Sequence, residues 1–309
     1  MKGILKLPQN RTDGVRGMAC ILIVLHHFCA NLMGIGYSNF LIDLIGLRGG
    51  VTGVTVFFFL SGWGLSESQL RHHYDAWTFA KKRLIRVFIP LVFTNLIYYP
   101  FVLWSHGRSF NLTDFILNFL NIHPIDGVTW YCNVLILFYA LFYISFLFKK
   151  KGHIAICITI LTVLYAIYCT YTNPDSPFKV YSLIGFPMGV IFSLYKNQIS
   201  NKFFIASNCS VLPVLLILSI LLPNYSNLFI ANLYSWAVIL ALVVLITKFS
   251  LRSSTFLFLG KYSYEIYLLH FKALVILSVF GLALWYPLVF IGIIIPLSII
   301  VNKLLAKIY

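Results

Sequence analysis

Residues 16–28 read RGMACILIVLHHF. After Arg16 and Gly17 come eight apolar residues, Met18 to Leu25, and then two histidines, His26 and His27. The stretch has the texture of a membrane span, yet it carries two imidazoles toward the middle of one. The same texture recurs along the chain. Of 309 residues, 60% are apolar and only 10% are charged, whereas a soluble domain carries about 25% charged residues. Apolar runs of about 17–25 residues match the thickness of a bilayer core. They are apolar on all faces rather than alternating, which excludes a membrane β-barrel. The reading is an all-α, polytopic membrane helix bundle.

Ten spans are predicted, at 15–34, 48–66, 84–104, 128–148, 153–172, 180–195, 203–222, 228–247, 262–281 and 286–302. Segment 109–127 is too polar to span and reads as a helix lying at the interface. The net charge of +15 points to topology rather than to nucleic acid. With a cytoplasmic N-terminus and strict alternation, 19 of the 23 basic residues fall on the cytoplasmic side. Arg48, Arg108 and Lys179 fall outside and Lys272 falls within a span. That bias follows the positive-inside rule and puts both termini in the cytoplasm. No cleavable signal peptide is evident. The six cysteines show no metal-type spacing, and no metal site is expected. The composition suits a bacterial cytoplasmic (inner) membrane.

Ionisable residues at membrane depth are costly, by at least ~2.5–3.5 kcal/mol for Arg, Lys or Asp, and tend to be functional. Eleven steps of about 100° bring Arg16 and His27 to within about 20° of each other on one helical face, ~16 Å apart along the axis. His26 points about 100° away. His27 thus reads either as a general base in a cavity or as a packing residue bonded to a neighbouring backbone. For His26 the packing role is preferred. A later span carries Glu265, His270 and Lys272. His270 lies ~15 Å in from Gly260, a depth similar to that of His27, which suggests one shared cavity. Glu265 and Lys272, seven residues apart, either line it or neutralise each other. Arg83 and Arg86 are neighbours on one helical face. Guanidinium forks suit phosphate oxygens, and they equally suit lipid headgroups or topology signalling. Glycines around Gly62 allow close helix approach, and Ser61–Gly62 could mark a local opening.

Together these pieces resemble the acyltransferase-3 family of integral membrane acyltransferases. Arg16 and His27 match its R-x10-H, VFFFLSGW at 56–63 its Gly-rich second span, and Arg83, Arg86 and Pro90 its basic motif. Trp130 and Tyr131 match the opening of its fourth span. Gly260, Ser263, Tyr264, Tyr267 and His270 match its late G-x-x-S-Y motif. The order is the family's, over nearly the whole chain, and a single domain over 1–309 with no appended soluble domain is expected. One departure is plain: where many members carry glutamates in the fourth span, this chain has Leu135 and Ile136.

The resemblance implies O-acyl transfer, with acetyl-CoA or another acyl-CoA as donor and a cell-surface or lipid-linked sugar as acceptor. No bound cofactor is implied. His27 and Arg16 would be catalytic, with His270, Glu265, Ser263 and Tyr264 around the cavity and Arg83 and Arg86 binding the acyl-CoA. The partners would be the donor, the glycan acceptor and the bilayer, with no nucleic acid. The alternative is a proton-coupled transporter that does no chemistry, which mid-membrane His, Glu and Lys would also suit.

Overall fold

The computed structural model describes residues 9–198, 228–248 and 253–307. Among them there is no strand. The helices are α1 (Gln9–Gly34), α2 (Phe40–His72), α3 (Ala76–Ser105), α4 (Leu112–Phe119), α5 (Trp130–Phe146), α6 (Lys151–Thr172) and α7 (Gly185–Tyr195). There follow α8 (Leu228–Lys248), α9 (Ser254–Lys261), α10 (Ser263–Val279), α11 (Tyr286–Val289) and α12 (Ile295–Leu305). A π-turn at Phe290–Ile294 joins α11 to α12, so Ala283–Leu305 runs as one apolar segment. The predicted span 203–222 lies outside the described residues.

Five described helical segments are long and apolar enough to cross a membrane: Thr12–Gly34, Phe40–His72, Ala76–Ser105, Lys151–Thr172 and Ala283–Leu305. Helix α6 shows what solvent they expect. Ile156, Ile160, Val163, Leu164, Ile167 and Tyr171 form one stripe, each more than half exposed. A contiguous apolar stripe of this kind is a liability in water and the normal outer face of a helix in lipid. The protein is a multi-pass helical membrane protein.

Several segments differ from the sequence expectation, and α3 begins at Ala76 rather than near residue 84. Helix α2 begins at Phe40 rather than near residue 48. The Asn39 side chain accepts hydrogen bonds from the N–H groups of Leu41 (3.0 Å) and Ile42 (2.9 Å), an N-cap that starts the helix early. Arg48, expected in an outer loop, is therefore inside α2 and only 5% exposed. In segment 109–127 only Leu112–Phe119 is helical, capped by Asn111, whose side chain accepts from Asp114 N–H at 3.0 Å. The remainder is irregular, and Asp126 is buried there. Helix α7 starts at Gly185, after turns at 180–184.

The described chain packs as two compact units. The first takes residues up to Leu22, Arg48–Tyr74 and Ala140–Lys261. Its core joins Val15, Ala19, Phe59, Trp63, Phe192, Leu240 and Val243. Here α2 and α7 meet backbone to backbone: a Cβ at Gly62 would lie 2.2 Å from the Phe186 carbonyl oxygen, and one at Gly189 2.1 Å from that of Phe59. Gly62 thus closes a seam, and α2 runs unbroken through Ser61–Gly62. Polar side chains tie the same unit, as when Ser235 Oγ accepts from Thr55 Oγ1 (3.1 Å) and donates to the Tyr181 carbonyl (2.6 Å).

The second unit takes Ile23–Leu47, Asp75–Tyr139 and the described residues from Tyr262 onward. Asp75 caps α3, accepting from Thr78 N–H at 3.0 Å. Pro90 and Pro100 lie inside α3, which nevertheless continues to Ser105. The core of this unit sets Leu269 of α10 against Ile294, Val301 and Leu305, with Ile89 and Phe93 of α3 packed on it.

Candidate active site

The second unit brings His27 and His270 together. His270 lies on α10 and is fully buried. Its Nδ1 is 2.7 Å from the Tyr267 carbonyl oxygen and 3.2 Å from that of Ile266. Carbonyl oxygens only accept, so the partners assign the ring proton to Nδ1 and leave a lone pair on Nε2. Nε2 faces His27 Nδ1 at 3.3 Å. His27 Nδ1 is also 3.0 Å from the Ile23 carbonyl of its own helix, so it too carries a proton, shared between Ile23 and His270. Among the described residues no hydrogen bond reaches His27 Nε2. The arrangement is an ordered pair: a backbone carbonyl fixes one imidazole, that imidazole receives the proton of the second, and the second keeps a basic nitrogen to offer.

The rings meet edge to face, with centroids 5.1 Å apart, and Phe271 packs 5.0 Å from His27. The His26 ring also meets that of His27 edge to face, with centroids 4.7 Å apart, and its Nδ1 lies 3.4 Å from the Ile45 carbonyl.

The other expected residues are distributed as follows. Ser263 opens α10 and is buried. The Tyr264 hydroxyl donates to the Val87 carbonyl at 2.7 Å and lies 3.6 Å from Cys132 Sγ. Glu265 is buried and accepts from Asn302 Nδ2 at 2.8 Å. It does not neutralise Lys272, whose ammonium pairs with Asp126. Seven residues of helix put Glu265 and Lys272 on one face but about 10 Å apart along it, and a carboxylate on the adjoining turn is nearer. Arg83 and Arg86 lie in the first half of α3, Arg86 exposed and Arg83 half-buried. Arg16 belongs to the first unit, where its Nη1 pairs with Asp13 at 2.7 Å.

In the fourth predicted span, Leu135 is buried. Ile136 lines an apolar cavity of about 480 Å³ with Leu84 and Phe88 of α3, Leu120 and Asn133. Of these two side chains one is therefore packed in the core and the other faces the cavity. Among the described residues no three His, Cys, Asp or Glu side chains are grouped to hold a metal ion.

Sequence reasoning missed Asp126. The signal was available, because a lysine in mid-span demands a counter-charge and the chain has only eight acidic residues.

Residues 10–306 match the acyltransferase-3 family, described as an acyltransferase domain. That covers nearly the whole chain, and the chain belongs to this family. No curated protein and no solved structure matches it.

Proposed function

We propose that the protein is a membrane O-acyltransferase, taking an acyl group, acetyl in the simplest case, from cytoplasmic acyl-CoA to a hydroxyl of a cell-surface or lipid-linked sugar. We place it in a bacterial cytoplasmic membrane. The observation that carries the chemistry is the ordered imidazole pair, with His27 Nδ1 at 3.3 Å from His270 Nε2. His27 Nε2 takes the proton of the acceptor hydroxyl as its oxygen attacks the thioester carbonyl. The C–S bond then breaks, the ester forms, and the proton passes from His27 to the departing thiolate of coenzyme A. His270 Nε2 accepts the hydrogen bond from His27 Nδ1–H throughout, stabilising the charge that develops on the His27 imidazole. Arg83 and Arg86 are assigned to the donor's phosphates.

The test is thioester loss and acyl transfer with acetyl-CoA in nanodiscs. His27→Gln should abolish both, and Arg83→Ala should raise the donor KM. A folded His27→Gln protein with wild-type transfer would overturn the assignment of the base. A wild-type protein that turns over no acyl-CoA would overturn the reaction itself and favour proton-coupled transport, to be measured as flux.

A further inference from the structure

Helix α10 is tied down on both sides of His270. Three residues before it, the Tyr267 hydroxyl donates to the Val128 carbonyl. Two residues after it, Lys272 Nζ pairs with Asp126 Oδ2. Both ties end on one turn, 126–129. Asp126 shapes that turn with its other oxygen, Oδ1, which accepts from the N–H groups of Val128 (3.1 Å) and Thr129 (3.0 Å). Asn121 supports the turn from behind. It stands at φ +58°, a conformation that asparagine tolerates better than most residues. Its Nδ2 donates to the Thr129 carbonyl (3.2 Å) and to Asn133 Oδ1 (2.7 Å).

Lys272 is only 3% exposed and Asp126 6%, and each is occupied by the other, so neither is placed to touch a substrate. Stability is a weak reason to keep such a pair, because desolvating two ions offsets most of their attraction and an apolar pair often serves as well. What the pair does fix is the position of α10 against the turn. Tyr267 contributes at both ends of that link. Its hydroxyl holds the turn, and its carbonyl holds the proton of His270.

We infer that Asp126 and Lys272 are positioning residues, which with Tyr267 hold α10 so that His270 keeps its proton on the Tyr267 carbonyl and its Nε2 on His27. The catalytic part of this inference rests on the proposed acyl transfer, and the geometric part does not.

The experiment uses Asp126→Asn/Lys272→Met in the full-length protein. Asparagine keeps the capping oxygen, methionine keeps much of the lysine stem, and no lone charge is left buried. The double variant should fold and keep its acyl-CoA KM, while kcat falls ~10–100-fold, the scale of a displacement of about 1 Å in a catalytic group. ¹⁵N-imidazole NMR, with the His270 signals assigned through His270→Gln, should show one tautomer in the wild type and a mixture in the variant. A folded double variant with wild-type kcat and a single His270 tautomer would overturn the inference. Tyr267→Phe cuts the other tie without disturbing a charge, should act in the same direction, and decides alone if the double variant does not accumulate. The NMR measurement needs no substrate. A wild type inactive with every acyl-CoA would therefore sink the proposed reaction, while the tautomers still decide the positioning.

Discussion

Substituting Gly62 by alanine should destabilise the protein, and the structure says by how much. A Cβ there would meet three backbone atoms of α7: the Phe186 oxygen at 2.2 Å, its carbonyl carbon at 3.1 Å and the Val190 nitrogen at 3.2 Å. Real Cβ atoms essentially never come within 3.0 Å of another atom, so α2 and α7 must separate by at least ~0.8 Å. No side chain can swing aside to relieve this, because every blocking atom is main chain. The shift also loosens Gly189 on Phe59 and Gly185 on Thr55 along the same seam. Overpacking of this kind costs ~1–3 kcal/mol, occasionally more. Alanine also gains up to about 1 kcal/mol of helix propensity over glycine, which would hide part of the effect. Gly64 supplies the control: it is in the same helix, and a Cβ there meets nothing within 4 Å. Both variants gain the propensity, so the gap between them isolates the clash. Melting followed by tryptophan fluorescence in one detergent should place Gly62→Ala several degrees below Gly64→Ala. Equal melting temperatures, or a higher one for Gly62→Ala, would refute the seam.

Three further outcomes are expected. His26→Asn should keep acyl transfer within a few-fold of wild type, whereas His27→Asn should lose ~10²–10⁴-fold; comparable losses in the two folded variants would count against the division of roles. Asn302→Leu removes the donor to buried Glu265 and should cost ~1–3 kcal/mol of stability, while Glu265→Gln, whose amide oxygen accepts the same bond, should cost less; denaturation in detergent compares them. The Thr78 N–H and hydroxyl donate to Asp75 and hold its pKa below the usual 3.8. This contribution to stability is present above that value and is lost as pH falls through the lower folded value. Asp75→Asn should therefore lose stability less steeply than wild type in melting curves taken from about pH 5 to pH 3.

The helices were legible because periodicity and length need no partner to be read. His27 and His270 were legible because a titratable group in an apolar run announces itself, and helical rise places both at similar depth. What faces such a group could not be read. Lys272 finds Asp126 across 146 residues and Glu265 finds Asn302 across 37. Nothing in local spacing distinguishes these from the nearer pairing of Glu265 with Lys272. Arg48 was misplaced for a related reason. A charge beside an apolar run looks like a loop marker, and only the Asn39 cap carries the helix past it. The α2–α7 seam was half legible: Gly62 drew attention, and Gly185 and Gly189, four apart, are the spacing of small residues that lets helices touch.

The two imidazoles of the site are separated by 243 residues of chain. At about 5–20 residues per second of synthesis, His27 leaves the ribosome ~12–50 s before His270. Throughout that interval the first histidine must wait in the membrane without its partner, so the proposed acyl transfer has only half of its imidazole pair. A product truncated before α10 is therefore expected to be inactive under the proposed mechanism. Under the proposed reaction, the distance between the two histidines along the chain delays any handling of the thioester until both are in the membrane.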